Sequence, residues 1–428
     1  MSSDEQTIDT LAGSGESGIG PLDRWARSLV LRSLALVSGG FLTLVESDRR
    51  LTFGDTSAEL KSTLWVHSPT FYRRVAFGGT IGAGEAYMDR LWDCDDVPTL
   101  VRIMVRSQEA QSRMEGGTAR FAGLIQRVLH YRNDNSLNGS RRNIAAHYDL
   151  GNDFYRLFLD PTMAYSCGIF ARPDSSLEEA SLAKFDRICS TLRLEPGMSL
   201  LEIGAGWGGF AIHAARQYGC RVTATTISER QYDLAARRIE EAGLTGQITL
   251  LRKDYRDLTG EYDRLVSIEM IEAVGHRHLP TFFRVCGQRL KPDGLALIQA
   301  ITVPDHIFDH YVKTPDFINR YIFPGACCPS LTALNLAAAE TTDLRLVQVE
   351  EFTSHYVRTL RLWRSAFLSR LNEVRAQGYD ERFIRMWDYY LCYCEGGFAE
   401  HFTGLRHLLY AKLRKTPQKW PEADGRMR

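Results

Sequence analysis

The sequence predicts an α/β protein in which a doubly wound sheet follows a smaller α+β domain. From Leu194 onward, short apolar runs alternate with helical stretches, which is typical of a parallel sheet covered by helices. A glycine-rich turn follows the first of these runs and opens a helix, so that the backbone can approach a ligand. The chain has 428 residues, more than one average domain needs, and we therefore expect two domains.

The segments before the sheet indicate a tail and an α+β domain. Residues 1–20 are rich in Ser, Gly and acids and are predicted to form a flexible tail. Residues 24–37 carry an apolar face with helical spacing, and three short β-rich runs follow before a second helical region begins after Pro69. We expect this domain to span residues 21–118.

A basic segment separates the two predicted domains. Residues 119–142 contain five arginines against a single acid, and the end of this stretch is polar and rich in turn residues. We predict a basic linker over residues 119–141 and a second domain over residues 142–428.

The composition excludes several classes of protein. Lys+Arg and Asp+Glu both number 52, so the whole chain lacks the basic bias of many nucleic-acid binders, and we expect no nucleic-acid partner. The nine cysteines include no CxxC pair, which disfavours a disulfide framework or a zinc site; we predict no metal and a reducing, cytoplasmic compartment. The longest apolar stretch, 33–45, falls short of the roughly 20 residues that span a bilayer.

The glycine-rich turn is the first candidate ligand site. Gly204, Gly206 and Gly208 follow the strand that ends in Glu202. Such a turn can be a simple strand–helix corner or a cofactor site. A dinucleotide site would have an acid about 20 residues further on, but this sequence has Thr225 and Thr226 there, so a nicotinamide cofactor is disfavoured.

Several motifs in a fixed order identify a family resemblance. The segments are HYDLGNDFYRLFLDPTMAYSCGIF (147–170), LLEIGAGWGGF, TTISERQ (225–231), KDYRDL (253–258), IEMIEAVG (268–275) and YIFPG (321–325). Together they resemble the cyclopropane-fatty-acyl-phospholipid synthase family, which includes the mycolic acid cyclopropane synthases. The resemblance covers residues 142–428. It implies a Rossmann-like class I methyltransferase domain, and it makes the first domain similar to the lipid-associated domain of the bacterial phospholipid enzymes.

The resemblance implies S-adenosylmethionine as the cofactor. The positions that match the family's cofactor residues are Tyr165, Ser166, Gly204, Gly206, Gly208, Thr226, Gln231 and Asp254. Gln231 takes the place of the usual acid on the ribose.

The resemblance also implies a bound bicarbonate that accepts the proton lost from the transferred methyl group. The matching positions are Cys167, Glu272, Gln299, Ile301 and Tyr356. The family has His where this sequence has Gln299, and Gln can donate a hydrogen bond but cannot relay a proton. Glu272 beside an anion is expected to work protonated.

The implied activity is transfer of a methylene group to the cis double bond of unsaturated phospholipid acyl chains, which gives cyclopropane fatty acids. Because of Gln299, a lipid C-methyltransferase that leaves a methyl- or methylene-branched chain is the alternative. A lipid-binding protein with a defunct transferase domain is a third possibility. The substrate implies peripheral contact with the inner membrane surface, for which helix 24–37 and the arginines of 119–142 are suited, and related enzymes suggest a homodimer.

Overall fold

The computed structural model describes residues 20–47, 49–107 and 150–412. The predicted linker and all of the predicted tail except Gly20 lie outside the described residues. The described part forms an N-terminal unit, up to residue 107, and a C-terminal unit from residue 150.

The N-terminal unit is a small α+β assembly, as predicted. Its helices are α1 (Pro21–Leu34), α2 (Thr70–Met88) and α3 (Val97–Arg106), and its strands are β1 (Phe41–Glu46), β2 (Arg49–Gly54), β3 (Lys61–Val66) and β4 (Trp92–Cys94). The strand order is β2-β1-β3-β4, with β1 and β3 parallel and the outer pairings antiparallel. Every second residue of β1 and β3 is buried, which places Leu42, Leu44 and Leu64 on the inner face of the sheet.

The C-terminal unit contains the larger sheet. Its strands are β5 (Ser199–Ile203), β6 (Arg221–Thr225), β7 (Ile248–Leu251), β8 (Tyr262–Ile268), β9 (Leu290–Thr302), β10 (Leu344–Glu351) and β11 (Gly404–Lys412). Its α-helices are α4 (Asn152–Arg156), α5 (Leu177–Thr191), α6 (Gly209–Tyr218), α7 (Glu229–Glu241), α8 (Leu279–Arg289), α9 (Asp305–Tyr311), α10 (Leu331–Thr341), α11 (Thr353–Ser369), α12 (Leu371–Ala376) and α13 (Glu381–Ala399).

The seven strands confirm the predicted doubly wound α/β fold. They lie in the order β10-β11-β9-β8-β5-β6-β7. Strands β5 to β9 are parallel, whereas β11 is antiparallel to both β9 and β10, so the sheet is mixed. Strands β5 and β8 are neighbours from which the chain winds in opposite directions, and ligands of such folds bind at the carboxyl ends of the strands at that point. The glycine turn follows β5, and IEMIEAVG begins at the end of β8.

One apolar core joins the two units. Helix α13 packs against α2, α3 and α11, and the shared core contains Trp92 of the N-terminal unit together with Phe154 and Trp387 of the C-terminal unit. Polar contacts cross the same boundary. The Tyr87 hydroxyl donates to a buried carboxylate oxygen of Asp388 at 2.9 Å. The two units are therefore held together by continuous packing.

Candidate active site

The glycine turn has the geometry of a ligand-binding loop. Gly204, Gly206 and Gly208 have φ of +93°, +53° and +81°, in the left-handed region that favours glycine. A Cβ on Gly204 would lie 2.8 Å from Met270 Cγ, so this glycine lets the segment after β8 pack against the turn. A Cβ on Gly206 would meet no protein atom within 4 Å, which leaves open space above the turn.

This open space gives a test of the predicted cofactor site. Gly206→Ala is expected to weaken S-adenosylhomocysteine binding at least tenfold, because the added methyl group enters the space in which the predicted ligand would lie. Isothermal titration calorimetry measures the effect. Gly243→Ala is the matched control: Gly243 also has positive φ (+70°) and open space around it, but it does not line the cavity. Equal weakening in both variants would show that backbone strain causes the loss.

The remaining predicted cofactor residues line the same cavity. Among their contacts within the protein, the Tyr165 hydroxyl lies 2.9 Å from the Tyr390 hydroxyl, and Thr226 Oγ1 donates to Gln231 Oε1 at 2.8 Å. Asp254 accepts from Arg256 Nε at 2.8 Å. Tyr165, Thr226, Gln231 and Asp254 thus surround one space with the glycine turn. Their individual contacts with the cofactor stay predictions.

A fully buried lysine lies beneath this space. Lys184 Nζ donates to Ser166 Oγ at 2.6 Å. Burial lowers the pKa of Lys184, while the carboxylates of Glu269 and Glu202 act against that shift. Burial raises the pKa of Glu202 to about 8, and the charge of Lys184 opposes this. Lys184 was not among the predicted site residues.

The predicted bicarbonate residues converge on a carboxylate of the protein itself. The backbone N–H of Cys167 donates to Glu269 Oε1 at 2.9 Å, and Gln299 Nε2 donates to the same oxygen at 2.6 Å. The Tyr356 hydroxyl donates to Glu269 Oε2 at 2.5 Å. Three of the five groups predicted to hold bicarbonate are therefore bonded to Glu269. In this arrangement they do not fit a separate anion, and bicarbonate stays an untested prediction.

The other two predicted groups pair with each other. The backbone N–H of Ile301 donates to Glu272 Oε1 at 2.6 Å, while the buried Oε2 of Glu272 has no hydrogen-bond partner in the protein. Burial, and then the nearby charge of Glu269, raise the pKa of Glu272 to about 8. Glu272 is thus protonated at neutral pH, which is the state in which it was expected to work.

A buried histidine orients Gln299. The amide nitrogen of Gln299 faces Glu269, so its oxygen faces His407, whose Nε2 lies 2.9 Å away. Burial, and then the charges of Lys184 and Arg187, lower the pKa of His407 to about 3, so the ring is neutral. A neutral ring that faces an amide oxygen carries its hydrogen on Nε2. His407 therefore donates a hydrogen bond to Gln299, and Gln299 in turn donates one to the carboxylate of Glu269.

The cluster around Glu269 and Glu272 opens into a cavity of about 430 Å³. One part of the cavity is lined by the glycine turn, Glu269, Glu272 and Tyr356. Another part is lined by the N-terminal unit, through these apolar side chains of α1, β1, β3 and α3: Val30, Leu34, Leu42, Leu64, Leu100 and Met104. The open space above the glycine turn thus continues into an apolar chamber, which is lined by these side chains of the N-terminal unit.

Aromatic side chains form part of the wall of this cavity. Tyr165, Trp207 and Phe323 line the cavity, whereas Phe170 and Tyr321 are not part of its lining. The Tyr356 ring stacks on Phe398, with 4.3 Å between ring centroids. Tyr390 adds another ring beside Tyr165.

Glu269 is the important residue that the sequence analysis missed. It stands within the quoted motif IEMIEAVG, three positions before Glu272. Two carboxylates so close in a matched motif were a signal, but only the fold reveals that both enter one site with Tyr356 and Gln299. Lys184 and His407 carried no motif signal.

Comparisons with known proteins identify the family of this chain. The sequence profile described as mycolic acid cyclopropane synthetase matches residues 135–408. The tuberculostearic acid methyltransferase UfaA1 of Mycobacterium tuberculosis is 38% identical over 84% of this chain and 85% of its own length. The cyclopropane-fatty-acyl-phospholipid synthase of Escherichia coli K12 is 36% identical over 81% of this chain and 87% of its own length.

Solved structures match about two thirds of the chain. The cyclopropane synthase MmaA2 from Mycobacterium tuberculosis has a TM-score of 0.60 and 34% identity, covering 64% of this chain and 98% of that one. The mycolic acid cyclopropane synthase CmaA1, solved in complex with SAH and CTAB, has a TM-score of 0.60 and 31% identity over the same shares.

Proposed function

The chain belongs to the mycolic acid cyclopropane synthetase family of S-adenosylmethionine-dependent methyltransferases, as its motifs predicted, and we propose that it transfers a one-carbon unit to the double bond of unsaturated phospholipid acyl chains. The family and the type of enzyme are established by the comparisons. The phospholipid substrate and the product are our proposal. They follow the Escherichia coli relative, which is named as a cyclopropane-fatty-acyl-phospholipid synthase and aligns with both units of this chain.

The single observation that carries this proposal is the continuous cavity. A long acyl chain needs an apolar path that ends beside the methyl donor, and burial of each methylene group contributes about 0.8 kcal/mol. The cavity supplies such a path, since it joins the glycine turn to the apolar chamber of the N-terminal unit. A small polar substrate would leave the leucines and valines of that chamber without a role.

The cofactor would be held by the glycine turn together with Tyr165, Ser166, Thr226, Gln231 and Asp254. When bound, S-adenosylmethionine supplies an electrophilic methyl group on a sulfonium. The protein's own residues must then orient the alkene, exclude water and stabilise the positive charge that methylation creates on the acyl chain. The faces of Tyr165, Tyr390 and Phe323 suit that charge, because aromatic rings attract cations in a dry site.

We propose a cyclopropane as the product and a methylene branch as the second candidate. Ring closure and methylene formation both require loss of a proton from the new methyl group; methylene formation also requires a preceding hydride shift along the chain. Gln299, where the family has His, and the 38% identity to a tuberculostearic acid methyltransferase favour the second candidate.

Contact with the bilayer surface is part of the proposal. None of the helices in the described ranges has the length and apolar character needed to cross a membrane. Helix α1 exposes Leu22 and Trp25 near its start, while Val30 and Leu34 further along line the cavity. The same helix thus carries exposed apolar side chains and part of the apolar chamber, which suits entry of an acyl chain from a lipid surface.

An incubation with labelled cofactor tests the proposed function. The protein is mixed with methyl-labelled S-adenosylmethionine and vesicles of mono-unsaturated phospholipid, and fatty acid methyl esters are analysed by mass spectrometry. We expect an acyl chain heavier by one methylene group, and none from vesicles of saturated phospholipid. Cofactor binding without label in any lipid would contradict the proposal and favour a lipid-binding protein.

A further inference from the structure

We propose that Glu269 is the resident proton acceptor of this enzyme and takes the place of an external bicarbonate. This inference rests on the proposed function, because it assigns the proton that must leave the methylated acyl chain. The geometry that carries it is the convergence of Cys167 N–H, Gln299 and Tyr356 on one buried carboxylate.

The backbone is shaped to present this side chain. Glu269 has φ of +45°, a left-handed conformation that is unfavourable for a residue with a Cβ. Glu269 directly follows β8, and its neighbour Met270 packs against Gly204 of the glycine turn. Strain of this kind persists where the surroundings fix it, and it is common at active sites. The carboxylate is thus held beside the place where the methyl group arrives.

The hydrogen bonds leave the carboxylate able to accept a proton. A carboxylate has about four acceptor positions, and the three donors occupy two on Oε1 and one on Oε2. Oε2 therefore keeps one free position. None of the three donors competes for the proton. The first is the backbone amide of Cys167 and the second is the side-chain amide of Gln299. Burial, and then the charge of Glu269, raise the pKa of Tyr356 well above its usual value, so its hydroxyl keeps its own proton.

The charges around Glu269 suit a base. Burial raises its pKa, which makes the carboxylate a better proton acceptor, while Tyr356, Cys167 N–H, Lys184 and Gln299 act in the opposite direction and favour the ionised form. Glu272 is protonated at neutral pH and so does not place a second negative charge beside it. The two neighbouring carboxyl groups thus differ in their surroundings: Glu269 accepts three hydrogen bonds, whereas Oε2 of Glu272 has no hydrogen-bond partner in the protein.

The proton step balances without any further reactant. Once the acyl chain carries the new methyl group and a positive charge on the neighbouring carbon, one C–H bond of that methyl breaks. Its proton goes to Glu269 Oε2. Its electron pair forms the third ring bond of a cyclopropane or, after a hydride shift, the double bond of a methylene branch. The lipid becomes neutral, and Glu269 releases the proton to solvent before the next turnover.

The experiment compares variants with and without bicarbonate. In buffer purged of carbon dioxide, the wild-type turnover on phospholipid vesicles is expected to stay within twofold of its value with added bicarbonate. Glu269→Gln is expected to lower turnover at least 100-fold, as loss of a general base does, and bicarbonate should not restore it. Glu269→Gly, which suits the positive φ and opens the anion position, is expected to gain at least tenfold in turnover when bicarbonate is added.

The controls separate this proposal from the proposed function. Glu395→Gln removes another buried glutamate, which is paired with Arg361 and does not line the cavity, and it should keep turnover within a few-fold of wild type. Binding of S-adenosylhomocysteine shows that each variant retains its fold. Wild-type turnover that needs bicarbonate, or a folded Glu269→Gln variant that keeps its turnover, would overturn the role of Glu269. Absence of lipid product from the wild type would instead overturn the proposed function.

Discussion

Replacing Leu64 by Trp is expected to lower turnover on phospholipid vesicles at least 100-fold and to leave cofactor affinity unchanged. Leu64 lies on β3, on the inner face of the N-terminal sheet, and its side chain lines the apolar chamber. An indole ring at this position occupies space that the acyl chain needs, and binding of the chain near the donor supplies a large part of the rate enhancement. Initial rates with labelled cofactor, together with calorimetry of S-adenosylhomocysteine binding, measure both quantities.

Thr63→Trp provides the matched control. Thr63 precedes Leu64 on the same strand, so its side chain points to the opposite face, and it is not part of the cavity lining. This variant adds a similar bulk to the same strand and should retain turnover. If Leu64→Trp binds cofactor and still modifies lipid at the wild-type rate, the chamber does not hold the acyl chain.

Glu272→Gln is expected to change how stability depends on pH. The pKa of Glu272 is about 8 in the folded protein against 4.5 for the free side chain. As the pH rises between these values, the unfolded chain releases the proton while the native state keeps it, so the wild type loses stability and the Gln variant does not. From pH 5 to pH 8 this amounts to about 3.5 kcal/mol, which is less than three pH units at about 1.36 kcal/mol each because half of the native Glu272 is already ionised at pH 8. Urea unfolding at both pH values measures the difference.

A second glutamine variant and a change at Glu269 sharpen this test. Glu179→Gln is the control. In the wild type, the pKa of the Glu179 carboxylate lies below its usual value, because the carboxylate accepts hydrogen bonds from the backbone of Ser176 and from nearby side chains. Both states of that wild-type residue are ionised above pH 5, so its stability difference should stay flat. The effect at Glu272 should shrink in a Glu269→Gln background, since the charge of Glu269 raises the pKa of Glu272. A flat profile for Glu272→Gln itself would contradict a protonated Glu272.

The strand–helix alternation was enough to predict the α/β fold, and the glycine turn marked a candidate ligand site. Both are local patterns, and the resemblance added Cys167, Gln299 and Tyr356, which do meet in space. The antiparallel strands β10 and β11 were not predicted, because long-range pairing with β9 determines their place.

Contacts between distant parts of the chain explain what the sequence analysis missed. Leu64 and Tyr356 are almost 300 positions apart, and no local pattern indicates that they line one cavity. Glu269 was visible in its motif, but its role depends on a positive φ and on donors from β9, α11 and the segment around Cys167. Those donors were predicted to hold bicarbonate, because the sequence alone does not show that a carboxylate of the protein reaches them.

Counting the deuterium atoms in the product tests the central claim most directly, namely that the transferred methyl group loses a proton to a base of the protein. The wild type is incubated with trideuteromethyl-labelled S-adenosylmethionine and mono-unsaturated phospholipid vesicles in buffer purged of carbon dioxide. We predict a modified acyl chain that retains two of the three deuterium atoms, for the cyclopropane and the methylene branch alike. An acyl chain that retains all three, or one that forms only when bicarbonate is returned, would contradict the account.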